Sequence, residues 1–274
     1  MHAYSAYIFD LDGTVYLGDA LLPTARETIQ TLRDQGKRTI FLSNNPTHTR
    51  LAYAQKLTRL GLPTPPEDVI NSSVVMVDFL QRTLPGARLF VVGEQPLMDE
   101  LRAGGFELVD EATSIEAASV DAASVDAVIA SFDRTFVYRK LQIAFDAIRA
   151  GARFFATNGD RYCPVPPATP GGPVGGEPDA AAIIAAIEAC TNTRVEAIVG
   201  KPSRYMAEAA LRLLDLPPEA CLMIGDRLET DVQMGLQAGM DAALTLTGAT
   251  HEAALEHSEI GPTFVIRQLR DLLS

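Results

Sequence analysis

Asp10 and Asp12 stand two residues apart in DLDGT, where the apolar run Tyr7-Ile8-Phe9 gives way to a loop containing Gly13. In an extended chain a spacing of two sends both carboxylates to one side. Like charges that close raise one pKa strongly unless a cation neutralises them. Asp226, in GDRLETD after the run CLMI, adds a third carboxylate at another strand end. Three oxygen donors of this kind suit Mg²⁺, which prefers octahedral oxygen coordination and keeps water or a phosphate oxygen in its remaining positions. One aspartate at one strand end would do no more than cap a helix or begin a turn. Three together point to a cation.

Two further clusters bring groups that hold anions. RTIFL runs into SNN, where Ser43 offers its hydroxyl and nearby backbone N–H groups to phosphate oxygens. Taken alone, Ser-Asn-Asn-Pro is an ordinary turn. VEAIV runs into GKPS. There Gly200 allows close approach, Pro202 can open a helix, and the helix N-terminus adds partial positive charge beside the Lys201 ammonium. The net charge of −12 makes that local charge necessary, because the bulk field repels a phosphate ester. No Lys/Arg cluster supplies a basic face, which excludes a nucleic-acid partner.

The elements that must position these residues alternate. Short apolar runs, each ending in a polar cluster, read as strands buried on both faces of a parallel sheet. Helical patterns lie between them: residues 24–35 with Ile29 and Leu32 inward and Gly36 as the stop; residues 48–60 with Leu51, Ala54, Leu57 and Leu60; and residues 203–215 after Pro202. The fold class is therefore α/β, and ligands bind beyond the carboxyl ends of such strands, where all four clusters fall. Residues 85–160 hold strand-like runs (ARLFVVGE, DAVIASFD, ARFFATNGD) without comparable chemistry, and residues 164–179 are dense in Pro and Gly and read as loop or linker. This predicts a core of residues 1–82 and 180–274 with residues 83–179 inserted. The stretch near residues 111–126 is mildly low in complexity and is given no function. Cys163, Cys190 and Cys221 lack metal-ligand spacing, and Cys190 and Cys221 read as small buried side chains. An odd number of cysteines, no membrane-spanning run and no signal-like N-terminus fit a cytoplasmic protein. The histidines His2, His48, His251 and His257 fall in none of the clusters and read as structural or solvated.

DLDGT, SNN, GKPS and GDRLETD, in that order, resemble the four motifs of the haloacid-dehalogenase-like phosphatases. An insert between the second and third looks like the larger α/β cap of that superfamily's class-II, subtype-A branch, so the resemblance implies a Rossmann-like, doubly wound core with an inserted cap. It covers essentially the whole chain. It implies that Asp10 attacks phosphorus and becomes an aspartyl phosphate, and that Asp12 protonates the leaving oxygen and then deprotonates water. It gives Mg²⁺ to Asp10, the backbone carbonyl of Asp12 and Asp226, with Asp231 supporting from behind. Ser43 and Lys201 would fix the phosphoryl oxygens, with Asn44 and Asn45 shaping the cradle. The dehalogenase branch lacks the second aspartate, so Asp12 argues against carbon–halogen chemistry. Specificity would come from the cap stretch Asp160, Arg161, Tyr162 and Cys163, and Cys163 stands where pyridoxal-phosphate phosphatases place a histidine. The branch implies a small phosphorylated metabolite as partner, sugar phosphates first, with pyridoxal phosphate and phosphoglycolate as alternatives. A phosphomutase and a silent binding protein on the same fold are the other readings, and intact Asp10, Asp12, Lys201 and Asp226 speak against silence. Capped relatives often form homodimers.

Overall fold

The structure, a computed structural model, describes residues 4–111, 124–165, 175–255 and 257–273. Its contacts divide the chain into a core unit of Met1–Ser43, Arg50–Ile70 and Lys201–Ser274, and an inserted unit of Asn44–Thr49 and Asn71–Gly200.

The core unit opens with β1 (Ala6–Asp10), buried along its whole length as a strand covered on both faces must be. A short antiparallel ribbon of β2 (Tyr16–Leu17) and β3 (Ala20–Leu21) follows. Helix Ala25–Asp34 buries Thr28, Ile29 and Leu32, and the chain leaves it through Gly36 at φ 75°, a left-handed position that favours glycine. Beside β1 runs β4 (Arg38–Ser43), parallel to it, and β5 (Val69–Asn71) lies next to β4.

In the inserted unit, helix Ser72–Thr83 starts at Asn71, whose side chain accepts from the Val74 N–H at 3.0 Å. Its sheet is built from β6 (Arg88–Val92), β7 (Glu107–Leu108), β8 (Ala127–Ala130) and β9 (Arg153–Ala156). A two-stranded antiparallel ribbon, β10 (Tyr162–Val165) with β11 (Gly175–Pro178), stands apart, and β12 (Ala197–Ile198) completes the sheet in the order β12-β9-β8-β6-β7. Phe90, Val128 and Phe154 pack with Ile143 and Ile148 of helix Tyr138–Arg149 and with Ile183 and Ile187 of helix Ala180–Thr191.

Back in the core unit come β13 (Cys221–Gly225), β14 (Asp241–Thr245) and β15 (Phe264–Ile266), giving the order β15-β14-β13-β1-β4-β5. Successive strands depart from β1 to both sides, so the topological switch point lies at the carboxyl ends of β1 and β13, where a doubly wound sheet holds its ligand. Phe9, Phe41, Tyr7, Ile29 and Leu222 fill the core beneath it.

The contacts group helices Ser72–Thr83 and Ala180–Thr191 with the inserted unit, beyond the expected residues 83–179; the second buries Ile183, Ile184 and Ile187 in the cluster that holds Phe154. Three expectations need correction. The run VEAIV supplies β12, which pairs with β9 in the inserted sheet and not with the core sheet. Pro202 precedes the N-cap Ser203 of helix Arg204–Leu214 and so is not its first residue. Cys190 is exposed, its thiol directed to the Ile187 carbonyl in the last turn of its helix, whereas Cys221 is buried. The ends of the expected linker at 164–179 form ribbon strands, and its residues 166–174 lie outside the described ones, as do His2 and residues 112–123 of the low-complexity stretch. Among the described residues no helix is long and apolar enough to cross a membrane.

Candidate active site

At the switch point of the core sheet, Asp10 ends β1 and Asp226 follows Gly225 at the end of β13. Lys201, 4% exposed, donates from Nζ to Asp10 Oδ1 and, at 2.7 Å, to Asp231 Oδ1. Asp231 sits in the wide turn Leu228–Val232, where its Oδ2 accepts the Arg227 N–H at 3.1 Å. Gly225 makes room for it: a Cβ there would stand 2.2 Å from Asp231 Cβ. Asp226 is boxed in similarly, by Gly13 at φ +89° and by Gly248, whose added Cβ atoms would approach its Oδ2 to 2.5 and 2.0 Å. That oxygen accepts the Ala249 N–H at 2.6 Å, while its neighbour Oδ1 is buried without a hydrogen-bond partner.

One oxygen from each of Asp10, Asp226 and Asp231 lies within 4.8 Å of the others. Three buried carboxylates against one ammonium leave a deficit of positive charge in a place with little water, which is costly. Burial pushes the Asp10 carboxyl well above the ordinary range; Lys201 opposes this, and Asp231 and Asp226 add to it. Burial, then the Asp231 charge, pushes Asp226 up to about 6. Burial alone would lower the Lys201 pKa, but the charges of Asp10 and Asp231 outweigh it, so the ammonium is held charged. A hard divalent cation answers both the orphaned Asp226 oxygen and the charge deficit, and an all-carboxylate donor set suits Mg²⁺. The cluster could hold such an ion. Asp231, expected behind the ligands, falls in the same cluster.

Asp12 is half-buried, and Tyr16 donates its hydroxyl to Asp12 Oδ2 at 3.4 Å across the tight turn that Gly13 closes. The Lys56 ammonium stands 3.8 Å over the Tyr16 ring. Ser43, at the end of β4, is buried and donates to the Tyr53 hydroxyl at 3.3 Å. Asp10, Asp12, Ser43, Lys201, Asp226 and Asp231 all belong to the core unit. Asn44 and Asn45 group instead with the inserted unit, where Asn44 Nδ2 donates to Asp160 at 2.9 Å and Asn45 Nδ2 to Cys163 Sγ at 3.7 Å. Arg161 and Tyr162 of that stretch are exposed.

Sequence reasoning missed Tyr16, Tyr53, Gly248 and the Ala249 amide. The signal for the last two was present: β14 runs into TLTGAT, one more apolar run ending in a polar turn. Nothing in the spacing of Tyr16 or Tyr53 marks them.

The family model described as haloacid dehalogenase-like hydrolase matches residues 7–107, and a second, HAD-hydrolase-like, matches residues 198–272. The sugar-phosphatase AraL of Bacillus subtilis (strain 168) is 37% identical over 265 residues, which are 97% of this chain and 90% of that protein. This chain belongs to the haloacid dehalogenase-like hydrolases. A second relative, the 5'-nucleotidase YutF of Bacillus subtilis (strain 168), is 30% identical over 272 residues, which are 99% of this chain and 98% of that protein. The crystal structure of a 4-nitrophenylphosphatase from Thermotoga maritima superposes with a TM-score of 0.87 at 33% identity, over 98% of this chain and 96% of that one. The two family matches flank most of the inserted unit, which carries Asp160, Arg161, Tyr162 and Cys163.

Proposed function

We propose that this phosphoric monoester hydrolase removes phosphate from small phosphorylated metabolites, sugar phosphates first, through an aspartyl phosphate on Asp10. The observation that carries the reading is the Lys201 ammonium bridging Asp10 and Asp231 beside the buried Asp226, at the switch point of a parallel sheet.

Asp10 must be ionised to attack, and burial opposes that. Lys201 restores the charge by holding Oδ1, and the other oxygen forms the bond to phosphorus as the ester P–O bond breaks. Asp12 gives its proton to the departing oxygen, then takes one from the water that attacks the acyl phosphate, so inorganic phosphate leaves and both carboxylates return to their starting state. The Tyr16 hydroxyl orients Asp12 for both transfers. Ser43 and Lys201 hold the phosphoryl oxygens, and Asn44 and Asn45 continue the loop beyond Ser43. Asp10, the Asp12 carbonyl and Asp226 would hold Mg²⁺, with Asp231 at its side; when bound, the ion neutralises charge on the transferring phosphoryl group. The inserted unit acts as a cap whose residues 160–163 recognise the leaving group. The sugar-phosphate preference is carried over from AraL.

A panel of sugar phosphates, nucleotides, phosphoglycolate, pyridoxal phosphate and 4-nitrophenyl phosphate, with and without Mg²⁺, tests the reading by phosphate release. A sugar phosphate should give the highest kcat/KM, and release should require the metal. Return of phosphate to a second carbon of the substrate, without release, would instead make the protein a mutase.

A further inference from the structure

Asn158 is fully buried in the inserted unit, and its whole side chain is engaged. Its Oδ1 accepts the Thr157 hydroxyl at 2.8 Å, and that hydroxyl meets Ser131 Oγ at 2.8 Å. Its Nδ2 donates to Asp160 Oδ2 at 3.1 Å and to Asp179 Oδ1 at 3.0 Å. An amide nitrogen carries two hydrogens, so both go to carboxylates. Asp179 Oδ1 also accepts the Ala180 N–H at 2.5 Å and so caps helix Ala180–Thr191. Asp160 Oδ2 also accepts Asn44 Nδ2 at 2.9 Å.

The backbone runs through the same place. The Asp179 N–H donates to the Arg161 carbonyl and the Ala181 N–H to the Asp160 carbonyl, both at 3.1 Å. Residues 160–161 are therefore laced to the start of a helix whose cap is one of Asn158's two acceptors. Gly200 closes the arrangement: its N–H donates to the Thr157 carbonyl at 2.7 Å, and a Cβ on it would come within 2.7 Å of Asn44 Oδ1. Asn44 is also the residue after Ser43, so one peptide bond separates this network from a group assigned to the phosphoryl oxygens.

We infer that Asn158 is a positioning residue for substrate selection: its amide clamps Asp160 to Asp179 and so fixes the Asp160 carboxylate, at the start of the 160–163 stretch that meets the leaving group. This rests on the reading of that stretch given under Proposed function. Without the amide, the Asp160 and Asp179 carboxylates lose a shared donor; the backbone pairing of the stretch stays, and among the described residues the Asp160 carboxylate keeps Asn44 Nδ2. The Asp160 side chain then samples several positions. A substrate that needs its contacts must order it on binding, so the loss falls on KM more than on kcat.

The test is Asn158→Ser in the full chain, assayed with the best sugar phosphate from the panel and with 4-nitrophenyl phosphate. For the sugar phosphate, kcat/KM should fall roughly ten- to a hundredfold, mainly through KM. For 4-nitrophenyl phosphate, and for the Mg²⁺ concentration giving half activity, the change should stay within about threefold. In an Asp160→Ala background, Asn158→Ser should leave the substrate ranking where Asp160→Ala alone puts it. A fall by one common factor for both substrates, or additive losses in the double variant, would overturn the inference and leave Asn158 a purely structural residue. Should Asn158→Ser fail to fold, Asp160→Ala, at a half-buried position and without the acceptor oxygen, should shift the ranking in the same direction, and an unchanged ranking there overturns the inference as well. A wild type that releases phosphate from none of these compounds overturns the phosphatase reading itself, and the inference with it.

Discussion

Lys201 holds two carboxylates with one ammonium, and a third carboxylate nearby has an oxygen with no partner. Lys201→Met should abolish turnover and leave Asp10 and Asp231 buried without their cation, at a cost of about 3–5 kcal/mol unless they take up protons. Thermal melts at pH 5 and pH 8 check this: the variant should lose more stability at the higher pH, where protonation cannot rescue it. Asp226 makes a related case in the wild type. Its carboxyl is raised from 3.8 to about 6, so the folded state binds the proton more tightly than the unfolded chain does. Its contribution to stability is complete below 3.8 and is lost as pH rises through about 6. Mg²⁺ competes with that proton, so the rise in Tm on adding Mg²⁺ to chelator-treated protein should be larger at pH 7.5 than at pH 5. An equal rise at both would remove Asp226 from the metal site. At this scale the grouping of Asp10, Asp226 and Lys201 was legible because several polar clusters fall at strand ends together, where any one alone would read as a cap, a turn or solvated surface. Tyr16 was not legible, because a tyrosine four residues after Asp12 becomes its neighbour only once Gly13 has turned the chain.

Between residues and fold lie the turns, and here glycines decide. Gly225→Ala would drive a methyl group into Asp231, whose own Cβ stands where the new atom must go. The strand end or the wide turn at Leu228–Val232 must shift, which breaks the Asp231–Lys201 pair. The expected cost is about 1–3 kcal/mol in stability, with a far larger loss of kcat, read by denaturant unfolding beside steady-state assays. A variant with normal kcat would mean that the Asp231 contact is dispensable. Element type was legible from apolar runs and their polar ends, but element partnership was not. VEAIV reads as a buried strand whichever sheet receives it, and β12 takes the edge beside β9 because Val195, Ile198 and helix Ala180–Thr191 share an apolar cluster with Phe154. SNN divides for a similar reason. Ser43 ends a core strand, while Asn44 and Asn45 have side-chain partners at Asp160 and Cys163. Local pattern carries no information about partners more than a hundred residues away.

Over the whole molecule, the groups assigned to bond making belong to one unit and those assigned to substrate choice to the other. The order of the four motifs made the α/β core and the presence of an insert legible. The contacts group residues Asn71–Gly200 where residues 83–179 were expected, because sequence pattern marks a helix without naming the sheet on which it packs. The division gives a prediction of its own. Arg161 and Tyr162 are exposed and offer a cation and an aromatic hydroxyl to a polyhydroxylated or anionic leaving group. Arg161→Ala and Tyr162→Ala should reorder the substrate panel, with kcat/KM for the best sugar phosphate falling roughly ten- to a hundredfold, and leave the Mg²⁺ dependence as it was. A uniform loss across the panel would place substrate choice elsewhere. The central claim concerns Asp10, and trapping its covalent intermediate tests it most directly. Enzyme mixed with its best substrate and quenched in acid within one turnover, then reduced with borohydride, should yield homoserine at position 10 on peptide sequencing by mass spectrometry. Phosphate trapped on a serine or histidine, or a burst of product with Asp10 unmodified, would contradict it.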